Sequence, residues 1–530
     1  MINIKKLIAV ILSVSLLFGI ATTSVSADEA IADDTTTVTA EATTVAEETT
    51  AADETTTAAP ETTEAPEAPA AIGDTTPFRI SVAVHGRNAD KGITWYTKTN
   101  TTSAVEISPV SGTVEYADVF EWEGNFVHKA TVKGLAAGEY TFRVGNGTEF
   151  SDWGKFVVDN GDSKFDFIAI ADIQASSLEN FQAGADVLDA AFRTAPTAEF
   201  MVNLGDFTND STNEEWDYYD QALAEINLNS TIVPISGNHD GLGVWNWFEN
   251  MFNLDTTESV QNLNGINYSF DYGNAHFAVL NTNDLLCVSF AQLQWLKNDM
   301  NSTDKDWKIV FMHKSPYSLG KDAKWPDALY LQSSLTKVLA QCDVDLVMSG
   351  HDHQYLRTKP LTNNKLDDNG TTFVLAGTAG TKRYEVRPFL ANHFLKTDHI
   401  AALTIQKNSY GNYWNGENWD NTKQTNIGGC FNAISVDGGK LSFKSYILAD
   451  EPGANGEEII TVIDEFTLEK ETGKNEITFT GDNTTSEAEY YLGAVPSFFG
   501  LAAYAIGEWL PKFLFMVPEL LVSVIVDDVF

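Results

Sequence analysis

The sequence predicts an α/β (α+β) protein in which a large β-sandwich domain, flanked by layers of helices, follows a smaller all-β sandwich. Five nearly continuous apolar runs lie between residues 165 and 348, a pattern typical of strands that are buried on both faces. Helix-like stretches at Phe181–Phe192 and Glu214–Leu228 separate some of these runs. Upstream, from residue 78, apolar and polar residues alternate with the period of a half-buried strand.

The composition of the chain argues against some classes of protein. A chain of 530 residues with 43% hydrophobic and 11% aromatic residues can bury a large core, and its length allows about two or three domains. It has 74 acidic and 33 basic residues, a formal net charge of −41, which argues against nucleic-acid binding by a basic face. Its cysteines allow at most one disulfide and form no CxxC motif; they are Cys287, Cys342 and Cys430.

The N-terminal region has the composition of a targeting segment followed by a stalk. Two lysines precede an apolar run at residues 7–20, and Val25 and Ala27 suit signal-peptide cleavage. Residues 1–27 are therefore predicted to be a signal peptide, and the protein to be secreted, extracellular or cell-surface associated; an uncleaved anchor is the alternative. Residues 28–76 are rich in Thr, Ala and Glu and contain no aromatic residue, which predicts a disordered stalk.

Two folded regions are expected after the stalk. Residues 77–160 contain short alternating stretches separated by glycine-containing turns, which predicts a small antiparallel β-sandwich. Residues 161–470 carry the apolar runs and are predicted to form the larger domain. Residues 471–489 are predicted to be a linker, and residues 490–530 form a strongly apolar C-terminal segment.

The C-terminal segment has three interpretations. Glu508, Lys512, Glu519 and several prolines interrupt its apolar sequence, which disfavours a membrane-spanning helix. The second interpretation is an interfacial or partner-binding segment that would give membrane or cell-surface association. The third is a segment that packs onto the larger domain. The sequence disfavours the membrane-spanning helix and leaves the other two interpretations open.

Side chains of the kinds that bind metals directly follow the five apolar runs. Because strand ends converge at one edge of a sheet, we expect these side chains to meet in one cleft. Four of the nine histidines occur there, although they could have been scattered along the chain. In chain order the residues are Asp172, Asp206, Asn238, His239, His313, His351 and His353.

This set of ligand types suits bound metal ions. Carboxylate and amide oxygens bind hard divalent ions, and imidazoles bring Zn, Fe or Mn into range. The pattern therefore predicts a metal centre in this cleft.

The order of these motifs resembles the calcineurin-like metallophosphoesterase superfamily. The motifs are Asp172, Gly205-Asp206, Gly237-Asn238-His239-Asp240, His313 and Gly350-His351-Asp352-His353. The preceding sandwich resembles the fibronectin-III-like N-terminal domain of purple acid phosphatases, through Trp95, His128–Leu135 and Tyr140–Gly145. The resemblance covers about residues 78–470.

The resemblance implies two metal ions (Fe, Mn or Zn) and assigns a role to each motif residue. It implies that His239 lies beside the phosphate and stabilises or protonates the leaving oxygen. It implies that one metal is bound by Asp172, Asp206 and His353, and the second by Asp206, Asn238, His313 and His351, with Asp206 bridging.

The function implied is acid-phosphatase-like hydrolysis of phosphomonoesters on a small phosphorylated substrate, by attack of a metal-bound hydroxide. A phosphodiesterase or nucleotidase with the same metal site is the alternative within the enzyme class. A surface binding module with impaired catalysis is the alternative from another class.

Two positions depart from the family pattern. Gln174 stands where the first motif usually has histidine, and its amide oxygen would be a weaker metal ligand than imidazole. The stretch Gly205–Asn209 lacks the tyrosine that purple acid phosphatases have after Gly-Asp. Without a tyrosinate there is no tyrosine-to-iron charge transfer, so the metal pair need not include ferric iron.

Other residues have weaker assignments. His276 lies within a strand pattern and is expected to be a structural histidine. Tyr355 and Arg357 could face the pocket. Two aromatic stretches, Gly241–Phe252 and Tyr410–Trp419, could stack on a leaving group or simply pack against the surface.

Overall fold

The computed structural model divides the chain into two compact units, Met1–Ala68 and Pro69–Phe530, and every described residue belongs to the second unit. The predicted signal peptide, nearly all of the predicted stalk and the apolar C-terminal segment lie outside the described residues. The structure describes residues 74–87, 90–240, 247–260, 265–283, 287–320, 323, 326–384, 395–404, 413–414, 419–420 and 428–474.

Strands dominate the second unit. They are β1 (Phe78–His85), β2 (Asp90–Thr97), β3 (Ala104–Ser108), β4 (Thr113–Tyr116), β5 (Phe120–Trp122), β6 (Asn125–Lys133), β7 (Gly138–Gly145), β8 (Gly154–Val158), β9 (Lys164–Ile170), β10 (Ala198–Asn203), β11 (Thr231–Pro234), β12 (Tyr268–Tyr272), β13 (Ala275–Leu280), β14 (Trp307–Met312), β15 (Leu346–Ser349), β16 (Tyr355–Thr358), β17 (Leu361–Thr362), β18 (Lys365–Leu366), β19 (Thr372–Ala376), β20 (Ile400–Thr404), β21 (Tyr413–Trp414), β22 (Trp419–Asp420), β23 (Gly428–Asp437), β24 (Lys440–Ala449) and β25 (Ile460–Glu469). The helices are α1 (Leu178–Thr194), α2 (Asn213–Leu228), α3 (Trp247–Met251), α4 (Phe290–Asn301), α5 (Pro326–Tyr330) and α6 (Thr336–Gln341), with a π-helical turn at Leu331–Leu335 and a 3-10 turn at Thr397–His399.

Two large sheets form the body of the fold. One has eleven strands in the order β25-β24-β23-β9-β10-β11-β1-β2-β6-β4, with β5 paired to β6. The other has nine strands in the order β12-β13-β14-β15-β19-β16-β20-β21-β22. Phe167 of β9 meets Phe277 of β13 and Phe311 of β14, with ring centroids 5.9 and 6.2 Å apart. The core therefore lies between the sheets, which confirms the predicted β-sandwich.

Helices cover both outer faces. Ser177 caps α1, whose buried face includes Phe181 and Leu188 and packs against β9 and β23. A capping box between Thr212 and Glu215 begins α2, which packs against α1 and β1. On the other sheet, α4 packs against β13 and α6, so the predicted helical layers are confirmed. Within the described residues, no helix has the length and apolar character needed to cross a membrane.

The first eight strands build a smaller sandwich that continues into the larger one. The sheet β3-β7-β8 covers β1, β2 and β6 across a core that contains Trp95, Phe142 and Phe156. Strand β1 also pairs in parallel with β11, with Val82 opposite Thr231. One sheet thus crosses the predicted boundary between the two folded regions, and the fibronectin-III-like character of residues 77–160 stays a prediction.

Arg79 connects the smaller sandwich to the larger one. Its guanidinium is buried and donates to the backbone oxygen of Asn213 at 2.9 Å and to Asp217 at 2.6 Å, both on α2. The same group lies 5.3 Å from the ring centroids of both Tyr96 and Trp247. A buried cation with a carboxylate partner and aromatic neighbours ties the small sandwich to the helix that follows β10.

Candidate metal centre

The predicted ligands come together because the strands before them are parallel. Strands β9, β10 and β11 are parallel neighbours in the eleven-stranded sheet, and β13, β14, β15 and β19 are parallel neighbours in the nine-stranded sheet. Their carboxyl ends lie at the same edge of the sandwich. The connections that leave this edge carry all of the predicted site residues.

Several site residues have strained backbones. Asp172, Gln174, Asp206 and His351 have φ angles of 54°, 40°, 54° and 79°, in the left-handed region that most residues avoid. Cross-loop hydrogen bonds hold this geometry, because the amide of Asp172 donates to Gly205 O at 3.0 Å and that of Gln174 donates to Asp206 O at 2.8 Å. Strain of this kind costs about 1–3 kcal/mol per residue and is concentrated at functional sites.

Two glycines let the loops approach each other. Gly205 has a φ of 101°, and a Cβ atom there would lie 2.6 Å from Nδ1 of His313. A Cβ atom on Gly237 would lie 2.1 Å from Oδ1 of Asp206. Both glycines are therefore required by the close packing of the ligand-bearing loops.

Two clusters of potential ligand atoms share one carboxylate. Oxygen and nitrogen atoms of Asp172, Asp206 and His353 lie within 4.8 Å of one another, as do those of Asp206, His313 and His351. His313 Nε2 lies 3.3 Å from Asp206 Oδ1, and His353 Nε2 lies 3.6 Å from Asp172 Oδ1. Asp206 belongs to both clusters, so the structure places it between two candidate cation positions.

Backbone carbonyls fix the orientation of three of these imidazoles. His313 donates from Nδ1 to Leu204 O at 2.8 Å, His353 donates to Lys382 O, and His239 donates to Asn209 O. In each ring the Nδ1 proton is thereby assigned, which leaves Nε2 for the site. Metal-binding histidines use this arrangement to fix their tautomer.

The buried acids and imidazoles of the centre shift one another's pKa values. Burial and the charge of Asp206 raise the pKa of Asp172 well above its ordinary value, although His313 opposes them. Burial alone would raise the pKa of Asp206, but the charge of His313 and its hydrogen bond outweigh it and lower that pKa. Burial would lower the pKa of His313, but Asp206 raises it to about 9.

Burial lowers the pKa of His351 well below its ordinary value and also lowers that of His239. Two buried carboxylates held this closely need positive charge beside them, which suits cation binding.

Gln174 adjoins the centre through its backbone N–H, which donates to Asp206 O at 2.8 Å. The residue is only 4% exposed, and its Oε1 receives no hydrogen bond from any part of the chain that the structure describes. A buried amide oxygen without a donor costs about 1–3 kcal/mol, a cost that a bound cation would remove. The donor set of carboxylates, imidazoles and an amide oxygen therefore fits divalent metal ions.

Asn238 and His239 lie at the mouth of the centre. Both are half-buried, whereas Asp172, Asp206 and His313 are fully buried. Asn238 Oδ1 lies 3.0 Å from His313 Nε2, and the backbone N–H of His239 donates to Asp206 Oδ1 at 2.8 Å. The structure thus brings seven of the predicted site residues together, whereas Gln174 contacts them through its backbone.

Three supporting residues were not assigned to the site from sequence. The buried carboxylate of Asp240, whose role in the motif was left open, accepts the backbone N–H groups of Asp206 at 2.9 Å and Gly237 at 2.7 Å. Asn283 donates to Ser236 O and Gly237 O at 3.0 Å, and Thr378 donates to Asp172 O at 2.7 Å. Asn283 and Thr378 follow β13 and β19, so the strand-end rule used for the ligands could have found them.

Tyr355 and Arg357, which could have faced the pocket, bind Asp464 instead. Tyr355 donates to Asp464 at 2.7 Å, and Arg357 makes two hydrogen bonds to the same carboxylate. Asp464 belongs to β25, so these side chains pack against that strand instead of the metal centre.

Other expectations concern residues outside the centre. His276 is buried between the carboxylates of Asp271 and Asp299, a structural position. Trp247 and Phe248 from the first aromatic stretch are buried in the core. Trp245 and the side chains of the second aromatic stretch lie outside the described residues. All three cysteines lie within the described residues, are buried and form no disulfide.

Comparisons with known proteins agree with this geometry. Residues 165–355 match the calcineurin-like phosphoesterase family. Purple acid phosphatase 21 of Arabidopsis thaliana is 26% identical over 189 residues, which is 34% of this chain and 43% of that protein. Purple acid phosphatase 22 of the same plant is 23% identical over 304 residues, 50% of this chain and 68% of that protein.

The extent of these matches varies. The chain spans 43%, 32% and 37% of purple acid phosphatases 21, 15 and 23 of Arabidopsis thaliana. A solved purple acid phosphatase from yellow lupin (Lupinus luteus) seeds has a TM-score of 0.56 at 18% identity and covers 74% of both chains. A solved structure of PhoD has a TM-score of 0.53 at 12% identity and covers 82% of this chain and 99% of that one. These structures share the fold.

Proposed function

Because residues 165–355 form a calcineurin-like phosphoesterase domain, we propose that the chain hydrolyses phosphomonoesters with two bound metal ions. The observation that carries this proposal is the position of Asp206, whose carboxylate belongs to both ligand clusters. A single shared carboxylate is what a dinuclear centre requires and what a lone structural metal site does not.

The residues fit two cation positions. Asp172, Asp206 and His353 would hold one ion, with Gln174 as a further oxygen donor. Asp206, Asn238, His313 and His351 would hold the other. When bound, Fe, Mn or Zn ions would supply Lewis acidity to the phosphate and lower the pKa of the attacking water.

His239 is proposed as the general acid. Its Nδ1 proton is committed to Asn209 O, so Nε2 is the atom that would exchange a proton with the substrate. In the reaction, a water oxygen would bond to phosphorus and release a proton to solvent, the ester P–O bond would break, and the leaving oxygen would take the Nε2 proton of the His239 imidazolium. Solvent would then return a proton to Nε2, which restores the acid. The half-buried position of His239 at the mouth of the cleft suits contact with the leaving group.

The metal pair is proposed to lack the purple colour of a tyrosinate–iron centre, and it need not include ferric iron. Asn209 stands where the purple acid phosphatase pattern has a tyrosine, and its backbone oxygen is used by His239. No phenolate is therefore supplied at that position for charge transfer to ferric iron. Secretion is proposed from the N-terminal sequence alone.

The test uses the chain from Asp28 onward, with phenyl phosphate and diphenyl phosphate as the monoester and diester. We expect two metal ions per chain by elemental analysis and faster turnover of the monoester. Preferential turnover of the diester would favour a phosphodiesterase. Absence of turnover of either substrate after loading with Mn, Fe or Zn would favour a binding module.

Two variants test the proposed role of His239. His239→Ala is expected to keep its metal ions and to lose about 10²–10⁴-fold in kcat. His85→Gln is the matched control, because His85 lies on β1 and its ring bonds Asn253 O at 3.0 Å, outside the metal centre. A loss of kcat that is equal in both variants would contradict the assignment of His239.

A further inference from the structure

A short segment after β19, residues 381–384, lies against the metal centre. The backbone oxygen of Lys382 accepts the Nδ1 proton of His353. The ring of Tyr384 stacks on the imidazole of His353, with centroids 4.2 Å apart and planes within 15° of parallel. These contacts fix the backbone at Lys382 relative to a proposed metal ligand.

The side chain of Lys382 extends toward the proposed general acid. Its Nζ lies 3.4 Å from Asn209 Oδ1, and the backbone oxygen of Asn209 holds His239. The ammonium group is therefore on the side of the cleft where the leaving group would depart.

The partial exposure of Lys382 indicates that it lies at the mouth of the cleft. Asn209, His239 and Lys382 are half-buried, whereas the proposed ligands Asp172, Asp206 and His353 are fully buried. The cation is thus within reach of the outer part of a bound substrate. In a chain with a net charge of −41, a fixed cation at this point would offset the repulsion of an anionic substrate.

A second lysine at the centre differs in its surroundings. Lys314 follows the ligand His313, and its Nζ lies 2.9 Å from Asp327 Oδ2. It lines a small cleft with His351 and Asp352. Because Asp327 balances its charge, Lys314 is a weak candidate for binding an anion.

We propose that Lys382 binds a negatively charged group on the leaving alcohol, so that the preferred substrates are phosphate esters or anhydrides whose leaving group carries a carboxylate or a further phosphate. This inference rests on the proposed function, because it uses His239 to define the leaving-group side. An ammonium group supplies charge-assisted hydrogen bonds to either kind of oxyanion.

The test compares phenyl phosphate with 3-carboxyphenyl phosphate, whose leaving groups have similar basicity and differ in charge; adenosine diphosphate supplies a phosphate-bearing leaving group. We expect Lys382→Gln to lower kcat/KM about tenfold for the two charged substrates, mainly through KM, and less than about twofold for phenyl phosphate. Lys382→Arg should retain the preference. Loss of preference for only one of the two charged substrates would identify the anion that Lys382 binds.

Controls separate this inference from the proposed function. Lys440→Gln is the control variant, because it removes a charge far from the metal centre. Lys440 lies opposite Asp437 in the β23–β24 ladder, near the amino end of β9 and so at the opposite edge of the sheet. This variant should behave as wild type. Metal content and thermal stability of Lys382→Gln should match wild type. An equal loss for all three substrates, or no loss for any, would overturn the role of Lys382. Absence of turnover by the metal-loaded wild type would instead overturn the proposed function.

Discussion

The backbone N–H of His351 lies 2.9 Å from each carboxylate oxygen of Asp172. Asp172 follows β9 of the eleven-stranded sheet and His351 follows β15 of the nine-stranded sheet, so this contact joins the two layers at the metal centre. One amide is weak compensation for a fully buried carboxylate, and burial raises the pKa of Asp172 well above its ordinary value. The ionised form therefore depends on a cation that the fold is arranged to receive.

Replacing this carboxylate separates metal binding from folding. Asp172→Asn is expected to lose one of the two metal ions and at least about hundredfold in kcat, because a neutral amide is a poor substitute for a ligating carboxylate. The metal-free variant should be no less stable than metal-free wild type, since the desolvation of a buried charge is removed. Elemental analysis and urea unfolding in chelator measure both effects.

The control for this substitution is Asp464→Asn. Asp464 is a buried carboxylate outside the centre, bound by Tyr355 and Arg357. This variant should keep both metal ions but lose about 3–5 kcal/mol of stability, because Arg357 loses its partner. Retention of both ions by Asp172→Asn would exclude Asp172 as a ligand.

Gln174 gives a second prediction. If its unpaired Oε1 binds a cation, Gln174→Leu should weaken one metal site about 10–100-fold, and Gln174→His should bind that metal at least as tightly as wild type. Competition with a chelator of known affinity measures the dissociation constant of each site. An unchanged affinity in Gln174→Leu would show that the amide oxygen is not a ligand.

Local patterns predicted the metal centre well because its geometry follows from strand ends. The run Phe165–Ile170 became β9, which begins one residue earlier at Lys164, and Leu346–Met348 became β15, which ends at Ser349. Parallel strands carry their carboxyl ends to one edge whatever connects them. Asp206 and His313 therefore meet although they are far apart in the chain.

Contacts between distant segments could not be predicted in the same way. No local pattern shows that β1 pairs with β11, or that Asp464 on β25 receives Tyr355 and Arg357 of β16. The pocket-facing assignment of Tyr355 and Arg357 used proximity to His353 in sequence. The partner that determines their direction lies more than a hundred residues away.

The close approach of Gly237 to Asp206 predicts that a larger residue at position 237 disturbs the metal centre. In Gly237→Ala the new Cβ would meet both the backbone nitrogen and Oδ1 of Asp206 at 2.1 Å, so the loops that carry Asp206 and Asn238 must separate. We expect a loss of about 1–3 kcal/mol in unfolding free energy and weaker binding of both metal ions. Gly134→Ala is the control, because nothing lies within 4 Å of its Cβ position despite a φ of 66°. Full metal affinity in Gly237→Ala would contradict the packing of these loops.

The last prediction concerns the pH dependence of stability and the two acids that flank His276. Burial would lower the pKa of His276, but hydrogen bonds from its ring to Asp271 and Asp299 outweigh burial and raise that pKa above 6.5. A raised pKa means that the imidazolium contributes its full stability below about pH 6.5, and that this contribution is lost as pH rises through the higher folded-state value.

The experiment compares wild type with His276→Gln by urea unfolding from about pH 5.5 to about pH 9. The difference in unfolding free energy should be largest at the acid end and should shrink as pH rises. Asp299, whose pKa is lowered by His276 and Arg87 against the effect of burial, stays ionised throughout this range. His128→Gln is the control of opposite sign, because burial lowers the pKa of His128 to about 4 and the unfolded chain therefore takes up a proton there before the folded protein does. Its stability difference should shrink as pH falls below about 6.5 and should be flat at alkaline pH. A difference for His276→Gln that is flat, or that grows toward alkaline pH as the one for His128→Gln does, would show that the ring between Asp271 and Asp299 is not charged in the folded protein.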